Sequence, residues 1–223
     1  MSTRERFDRK LNELRADILV MGSLVEEELH LALDALRTLD PQMARAVNEK
    51  DSVVNQTRFD IEEKCFALIV TQQPAARDLR AIITAINMIV DLERMGDQTK
   101  GIAKVVRHLQ QFPIQDRPTG LDAMGQMVGQ MLHQAMTAYA NDNVDLARLV
   151  AGQDDEVDTI YARVFSDIML RMAQVQEPAQ IEASYEILRS ARELERFGDL
   201  ATNVAERVIY LVTGSMWEIN RDE

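Results

Sequence analysis

The 223-residue chain is acidic, with 37 Asp and Glu against 25 Lys and Arg and a formal net charge of −12. That charge argues against a nucleic-acid-binding protein, whose binding surface is basic. The single cysteine, Cys65, excludes a disulfide framework or a thiolate metal site within one chain. The first ten residues lack an apolar signal-peptide segment and no run of 18 apolar residues occurs, so we predict a cytoplasmic protein.

The first half of the chain predicts three long helices. Only 9 Gly and 5 Pro occur in the whole chain, which favours helices over a turn-rich β fold. The first helix covers about residues 4–37, where apolar side chains keep helical spacing. Asp40-Pro41 then forms an N-cap followed by Pro at the first helical position. The second helix ends near residue 70, before Gln72-Gln73-Pro74, and the third ends near residue 109.

The second half predicts three more helices after a linker. Residues 113–120 contain Pro113, Pro118 and Gly120 without apolar periodicity. A fourth helix then runs to about residue 140, and a fifth extends from the turn at 141–143 to about residue 174. The sixth opens at Glu177-Pro178 and ends near residue 212.

An internal duplication organises these elements. At an offset of 103 residues, Met21, Gly22, Val25, Leu29 and His30 match Met124, Gly125, Val128, Leu132 and His133. Near the end of each half the offset falls to 102, which one deleted residue between the fifth and sixth helices explains. We therefore predict an all-α protein of two similar three-helix bundles. They cover residues 1–112 and 121–214, joined by a linker at 113–120 and followed by a short tail at 215–223.

Two acidic stretches repeat in these halves, at residues 91–97 (DLERMGD) and 193–199 (ELERFGD). Each contains Glu-x-x-x-Asp, and residues four apart lie on one face of a helix. Glu93 and Asp97 therefore form one carboxylate pair, and Glu195 and Asp199 form the other. Like charges at this spacing repel, and burying them costs more, so a bound cation is the simplest source of compensation.

A second acidic element supports a cation site. Asp154 and Asp158 have the same spacing at the start of the predicted fifth helix, and their repeat mates are Asp51 and Asn55. All these side chains offer oxygen ligands, which suit Mg, Ca, Mn or Fe better than soft metals. These side chains, like the two Glu-x-x-x-Asp pairs, are therefore candidate cation ligands.

Two alternatives remain open. In the first, the protein is a metal-free helical interaction module, and arginines on neighbouring helices hold the acidic pairs. In the second, it is a di-iron carboxylate enzyme, whose bundle needs Glu-x-x-His twice. Glu27-x-x-His30 fits that motif, but its repeat mate Gln130-x-x-His133 does not. We find no catalytic constellation and no Walker-type phosphate loop, so we predict a protein that is not an enzyme.

Residues 93–97 (ERMGD) and 195–199 (ERFGD) resemble the paired E-R-x-G-D signatures of the PhoU family of phosphate-specific transport regulators. Gln73-Pro74 followed by residues 78–80 (DLR) is similar to the segment that opens the family's third helix. Residues 203–206 (NVAE) and 210–214 (YLVTG) are similar to its ending. The likeness extends over about residues 7–214.

The resemblance implies two pseudo-symmetric three-helix bundles, with multinuclear iron or zinc clusters on the E/D-x-x-x-D motifs of some members. Carried over to this chain, it implies metal ligands at Asp51, Asn55, Glu93 and Asp97 in the first half, and at Asp154, Asp158, Glu195 and Asp199 in the second. It also implies a negative regulator of phosphate uptake and the phosphate-starvation response. Such a regulator links the ATPase of the phosphate ABC transporter to a sensor histidine kinase and reaches the membrane only through its partners. Asn55 departs from the acidic pattern, so less charge is expected at the first site. A homodimer is compatible with every hypothesis and is our prediction for the assembly.

Overall fold

The computed structural model describes residues 3–111 and 119–215, and these form seven α-helices with no strand among them. The helices are α1 (Thr3–Thr38), α2 (Pro41–Gln72), α3 (Arg77–Gln111), α4 (Thr119–Asn141), α5 (Val144–Ala151), α6 (Asp154–Gln174) and α7 (Pro178–Thr213). The prediction of an all-α protein is confirmed. Within the described residues, no helix is long and apolar enough to cross a membrane.

Local capping fixes two of the predicted helix ends. Before α2, Asp40 Oδ1 accepts hydrogen bonds from the backbone N–H groups of Gln42 at 2.7 Å and Met43 at 3.4 Å. These bonds satisfy donors that the first helical turn leaves unpaired. After α7, Gly214 adopts a left-handed conformation with φ of 76° and donates its N–H to the Tyr210 carbonyl at 2.9 Å. Glycine adopts that conformation without a Cβ clash.

The predicted fifth helix is in fact two helices, which corrects the sequence analysis. Gly152 and Gln153 separate α5 from α6, and the Gln153 N–H bonds to the Val150 carbonyl in a tight turn. Glycine favours such an interruption because it is about 1 kcal/mol less stable than Ala in a helix interior. The break places Asp154, Asp155 and Glu156 in the first turn of α6, where the helix dipole favours negative charge.

The predicted linker and tail lie mostly outside the described residues. The helix α4 begins at Thr119, two residues before the predicted start of the second bundle. Residues 112–118 and 216–223 are not described by the structure.

The helices of each half pack on one another, and the buried apolar residues of the two halves form one continuous cluster. In the first half α1, α2 and α3 pack on one another, and Ile18, Met21, Leu29 and Met88 are completely buried there. In the second half α4, α5 and α6 pack against α7. Burial of this kind is the main source of stability for amphipathic helices.

The two bundles join through α3 against α7 and α1 against α4. A Cβ on Gly22 would lie 2.5 Å from Met136 Cε, and one on Gly125 would lie 2.7 Å from Leu33 Cδ2. Both glycines therefore allow close approach across the interface. Gly22 is the repeat mate of Gly125, and Leu33 is the repeat mate of Met136, so each half makes the same contact with the other. The duplicated sequence thus forms an approximately two-fold symmetric joint.

Candidate functional site

The four predicted ligands of the second half come together between α6 and α7. Asp154 and Asp158 occupy successive turns at the start of α6, while Glu195 and Asp199 occupy successive turns in the middle of α7. The two helices pack against each other. We call these four residues the acidic cluster.

Burial and neighbouring negative charge raise the pKa values of the acidic cluster. The pKa of Asp154 is raised to about 6, first by burial and then by the negative charges of Asp199 and Asp158. The pKa of Asp199 is also raised to about 6, first by burial and then by Glu195 and Asp158, while the charge of Arg196 opposes the shift. The pKa of Glu195 is raised by burial first and then by Asp158. Each shift shows that the folded protein disfavours the charged form.

No basic side chain in the described part of the chain forms an ion pair within 4.0 Å of the acidic cluster. Arg196 lies next to Glu195 in sequence but is exposed. On the same helix, one turn past Gly198, Thr202 is only 6% exposed and its Oγ1 has no hydrogen-bond partner. The cluster therefore combines uncompensated carboxylates with a nearby unpaired hydroxyl.

The equivalent residues of the first half surround a lysine. Lys100 Nζ lies 2.7 Å from Asp51 Oδ2 and 2.9 Å from Asp97 Oδ1, so it joins α2 to α3. Asn55 donates its side-chain N–H to Asp51 Oδ2 at 3.1 Å. The hydrogen bonds and charges of both aspartates raise the pKa of Lys100 against the opposing effect of burial. Glu93 is half-buried and takes no part in this network.

A buried glutamate adjoins that network. Glu28 on α1 is completely buried, and its Oε2 has no hydrogen-bond partner. The pKa of Glu28 is raised to about 8, chiefly by burial and in part by the charge of Asp51, against the opposing effects of the Thr99 hydrogen bond and the Lys100 charge. The Thr99 hydroxyl lies 2.6 Å from Glu28 Oε1 and 2.7 Å from the Gly96 carbonyl. It has one hydrogen and can donate to only one of them.

The repeated glycines of the two motifs face different surroundings. A Cβ on Gly96 would lie 3.2 Å from Glu28 Oε2 and 3.5 Å from Asp51 Oδ1, and the latter oxygen is also buried and unpaired. A Cβ on Gly198 would instead meet the methyl groups of Val128 and Val157 at 3.4 and 3.5 Å. The space beside Gly96 is therefore lined by two unpaired carboxylate oxygens, whereas the space beside Gly198 is apolar.

Glu28 and Lys100 are not among the residues predicted from the sequence, although both have a recognisable sequence signal. Glu28 follows Val25 by three residues on the apolar face of α1, where its repeat mate is Met131. Lys100 follows Asp97 by three residues, within reach on one helix face, and its repeat mate is Thr202. A comparison of the halves for residues that differ in charge finds both positions.

Asp91 and Glu193, the first residues of the two acidic stretches, lie at the contact between α3 and α7 that joins the bundles. Burial raises the pKa of Asp91, opposed by the charge of Arg207 on α7. Glu193 packs so closely on α3 that a Cβ on Gly101 would lie 2.8 Å from its Cδ. The charge of Lys104, also on α3, lowers its burial-raised pKa. Each helix therefore contributes an acidic residue that interacts with a basic residue of the other helix.

The Glu27-x-x-His30 motif lies on the surface. Glu27 is exposed and its Oε2 lies 2.6 Å from Lys50 Nζ. His30 is also exposed, and His133 Nδ1 approaches Glu26 at 3.3 Å instead of facing a carboxylate cluster. The motif therefore does not contribute to a bundle-core di-iron arrangement in the described residues.

As they stand, no three His, Cys, Asp or Glu side chains among the described residues form a group that could hold a metal ion. The donor chemistry nevertheless differs between the halves. The acidic cluster has four carboxyl groups without an ion pair to Lys or Arg in the described residues, and carboxylate oxygens are the ligands that hard divalent ions prefer. Around Asp51 and Asp97 the ammonium of Lys100 already occupies the space between the carboxylates, so that set does not fit a metal.

Comparison with known proteins identifies the family to which this chain belongs. The PhoU domain model matches the chain twice, at residues 18–106 and 121–208. The chain belongs to the PhoU family. It is 35% identical over 219 residues to the phosphate-specific transport system accessory protein PhoU homolog of Clostridium acetobutylicum, covering 98% of this chain and 99% of that protein. It is 32% identical to the PhoU accessory protein of Escherichia coli, covering 94% and 86%.

Solved structures agree with the fold. The crystal structure of the phosphate transport system regulatory protein PhoU from Streptococcus pneumoniae matches with a TM-score of 0.88 and 33% identity. It covers 96% of this chain and all of that one. PhoU from Pseudomonas aeruginosa also gives 0.88, at 36% identity over 94% of this PhoU chain. The prediction of a PhoU-like duplication is confirmed.

Proposed function

We propose that this PhoU protein is an accessory regulator of a phosphate-specific transport system. The observation that carries the proposal is the near full-length match to relatives bearing that name, with both PhoU domains present. In this role it represses phosphate uptake and the phosphate-starvation response. It acts in the cytoplasm as an adaptor between the transporter ATPase and a sensor histidine kinase.

The proposed role is regulatory and not enzymatic. Outer helices offer surfaces for protein contacts, because Phe59, Phe66 and Val70 on α2 and Phe165 and Met169 on α6 are large apolar side chains that remain exposed. On each helix these residues are spaced to lie on one side. Exposed apolar groups of this kind suit protein binding, either to the transporter and kinase or to a second PhoU chain in a homodimer.

A divalent cation at the acidic cluster is the second part of the proposal. Asp154, Asp158, Glu195 and Asp199 would hold it, and the ion would supply the positive charge that these carboxylates lack. The proposal rests on the raised pKa values of Asp154, Glu195 and Asp199 and on the absence of an ion pair between the cluster and Lys or Arg in the described residues. Neutralising them would draw the start of α6 toward α7.

Deletion of the gene, followed by complementation, tests the regulatory role. A strain lacking this gene should express a phosphate-starvation reporter even in abundant phosphate, and the wild-type gene should restore repression. Binding of purified protein to the transporter ATPase and to the kinase cytoplasmic region tests the adaptor role. Normal repression in the deletion strain, with no binding to either protein, would reject the proposal.

Elemental analysis tests the metal site. Protein purified without tag or chelator should contain a divalent metal, and Glu195→Ala/Asp199→Ala should lose it. Glu156→Gln/Asp167→Asn is the matched control, because both are exposed carboxylates on α6 outside the cluster. Equal metal content in all three proteins would show that the acidic cluster is not a ligand set.

A further inference from the structure

The first bundle carries its own cation. Lys100 Nζ contacts one oxygen of Asp51 on α2 and one of Asp97 on α3, at 2.7 and 2.9 Å. Asp51 is only 5% exposed. An ammonium group at these distances forms charge-assisted hydrogen bonds with both carboxylates. It occupies the space where a metal bound by the repeated acidic motifs would bridge α2 and α3.

The neighbouring side chains fit an ammonium better than a metal. Asn55 directs its N–H, a donor, at the same Asp51 oxygen that Lys100 contacts, whereas a metal ligand at this position must present an oxygen. Asp158, its repeat mate in the second half, is an acid. A divalent ion beside Lys100 would also meet repulsion from a fixed positive charge in a half-buried setting, where screening is weak.

We propose that Lys100 takes the place of a metal in the first bundle, so that this bundle binds no divalent cation, and that removing Lys100 opens a latent cation site formed by Asp51, Asp97 and Glu28. This assignment concerns the first bundle alone, so it stands or falls separately from the proposed metal in the second.

Two buried oxygens point to the ligands of the latent site. Glu28 Oε2 and Asp51 Oδ1 have no hydrogen-bond partner, and both lie within 3.5 Å of the point where a Cβ on Gly96 would stand. Unpaired buried carboxylate oxygens are costly. Asp51 carries one of these unpaired oxygens and contacts Lys100 through its other oxygen, so removal of the ammonium would leave the carboxyl groups of Glu28, Asp51 and Asp97 without a neighbouring cation. Oxygen ligands of this kind are those that Mg²⁺ and Mn²⁺ prefer.

The second bundle provides the template for the experiment. Thr202 is the repeat mate of Lys100 and Asp158 is the repeat mate of Asn55. Lys100→Thr/Asn55→Asp therefore gives the first bundle the residues of the second at these two positions, and Thr202→Lys introduces the lysine into the second. Lys50→Thr is the matched control. It also replaces a lysine by threonine and removes one positive charge, but Lys50 pairs with the exposed Glu27 and not with Asp51 or Asp97.

Mn²⁺ equivalents per full-length chain, counted by electron paramagnetic resonance of free Mn²⁺ and by titration calorimetry, test the proposal. We expect Lys100→Thr/Asn55→Asp to bind about one equivalent more than wild type, and further addition of Glu28→Gln to weaken that equivalent at least tenfold. Lys50→Thr should match wild type. An unchanged count in a folded Lys100→Thr/Asn55→Asp protein overturns the proposal.

A second variant keeps the proposal testable if that protein does not fold. Asp97→Asn changes an exposed carboxylate and should leave the Mn²⁺ count of otherwise wild-type protein unchanged, because the first bundle binds none. Loss of an equivalent in Asp97→Asn means that the first bundle does bind metal and overturns the proposal. If wild type binds no Mn²⁺ while Lys100→Thr/Asn55→Asp binds one, the assignment of Lys100 holds and the proposed metal of the second bundle fails.

Discussion

The buried Glu28 carboxyl makes the metal-free protein less stable as the pH rises. Its pKa is raised from 4.5 to about 8 because α1 holds it away from water beside Asp51. The unfolded chain releases this proton near pH 4.5, whereas the folded chain retains it until about pH 8. The folded state therefore binds more protons throughout that window, and the free energy of unfolding falls as the pH rises through it.

The magnitude follows from the size of the shift. Each pKa unit corresponds to about 1.4 kcal/mol, so the contribution of Glu28 falls by about 3 kcal/mol between pH 5.5 and 8.5. Glu28→Gln removes the titrating group, while its side-chain carbonyl can still accept from Thr99. We expect the substituted protein to be about 3 kcal/mol more stable than wild type at pH 7 and to lack this part of the decline.

Urea denaturation in the presence of a chelator, at half-unit pH steps, measures the effect. Glu27→Gln is the control, because its side chain is 62% exposed and pairs with Lys50 on the surface. It should follow the wild-type dependence on pH. If the curves of Glu28→Gln and wild type remain parallel from pH 5.5 to 8.5, the reasoning from burial is wrong.

Three further substitutions test other parts of the structure. In chelator at pH 7, Asp199→Asn should raise the free energy of unfolding by a few tenths to about 1 kcal/mol, after allowance for solvent screening. The gain should begin to decline as the pH falls below about 6, where the wild-type carboxyl becomes protonated in the folded state, and should disappear only below pH 3.8, where the unfolded chain is protonated as well. Phe197→Ala should cost about 3–5 kcal/mol in urea denaturation, because the ring is completely buried. Arg15→Ala removes the cation–π contact with Tyr139, at 5.0 Å, and the ion pair with Asp142, and should lower the melting temperature by a few degrees through a loss of about 1 kcal/mol.

The architecture could be predicted because two independent signals agree. Apolar periodicity indicated the helices, and the repeat offset indicated that the halves share a fold. The Asp40 cap and the end of α7 at Gly214 follow from residue types whose backbone preferences are strong. The interruption at Gly152 was missed because the apolar pattern continues across it. Its repeat mate is Glu49, within the unbroken α2, so the duplication itself argued for a continuous helix.

The acidic residues were easier to find than their partners. A repeat of Glu-x-x-x-Asp is visible in the sequence, but the cation that compensates it depends on which side chains the packing brings near. From the sequence, arginines on neighbouring helices were the side chains expected to compensate the acidic pairs in the absence of metal. In the first bundle the partner is Lys100, on the same helix as Asp97, and it also reaches across to Asp51. Glu28 was missed because a single charged residue within an apolar face reveals no partner.

The duplication therefore places neighbouring carboxylates at equivalent positions in both bundles, but the cation that compensates their charge differs between the two. Lys100 is part of the chain, so it compensates Asp51 and Asp97 at every metal concentration and joins α2 to α3. In the described residues no Lys or Arg forms such a contact with the acidic cluster, and the repulsion between its carboxylates acts beside the interruption at Gly152, where α6 begins. A cation that binds folded protein stabilises it in proportion to its concentration. If both proposals hold, metal supply changes the packing of α6 on α7 while the first bundle stays fixed, which confines a metal-dependent response to one half of the regulator.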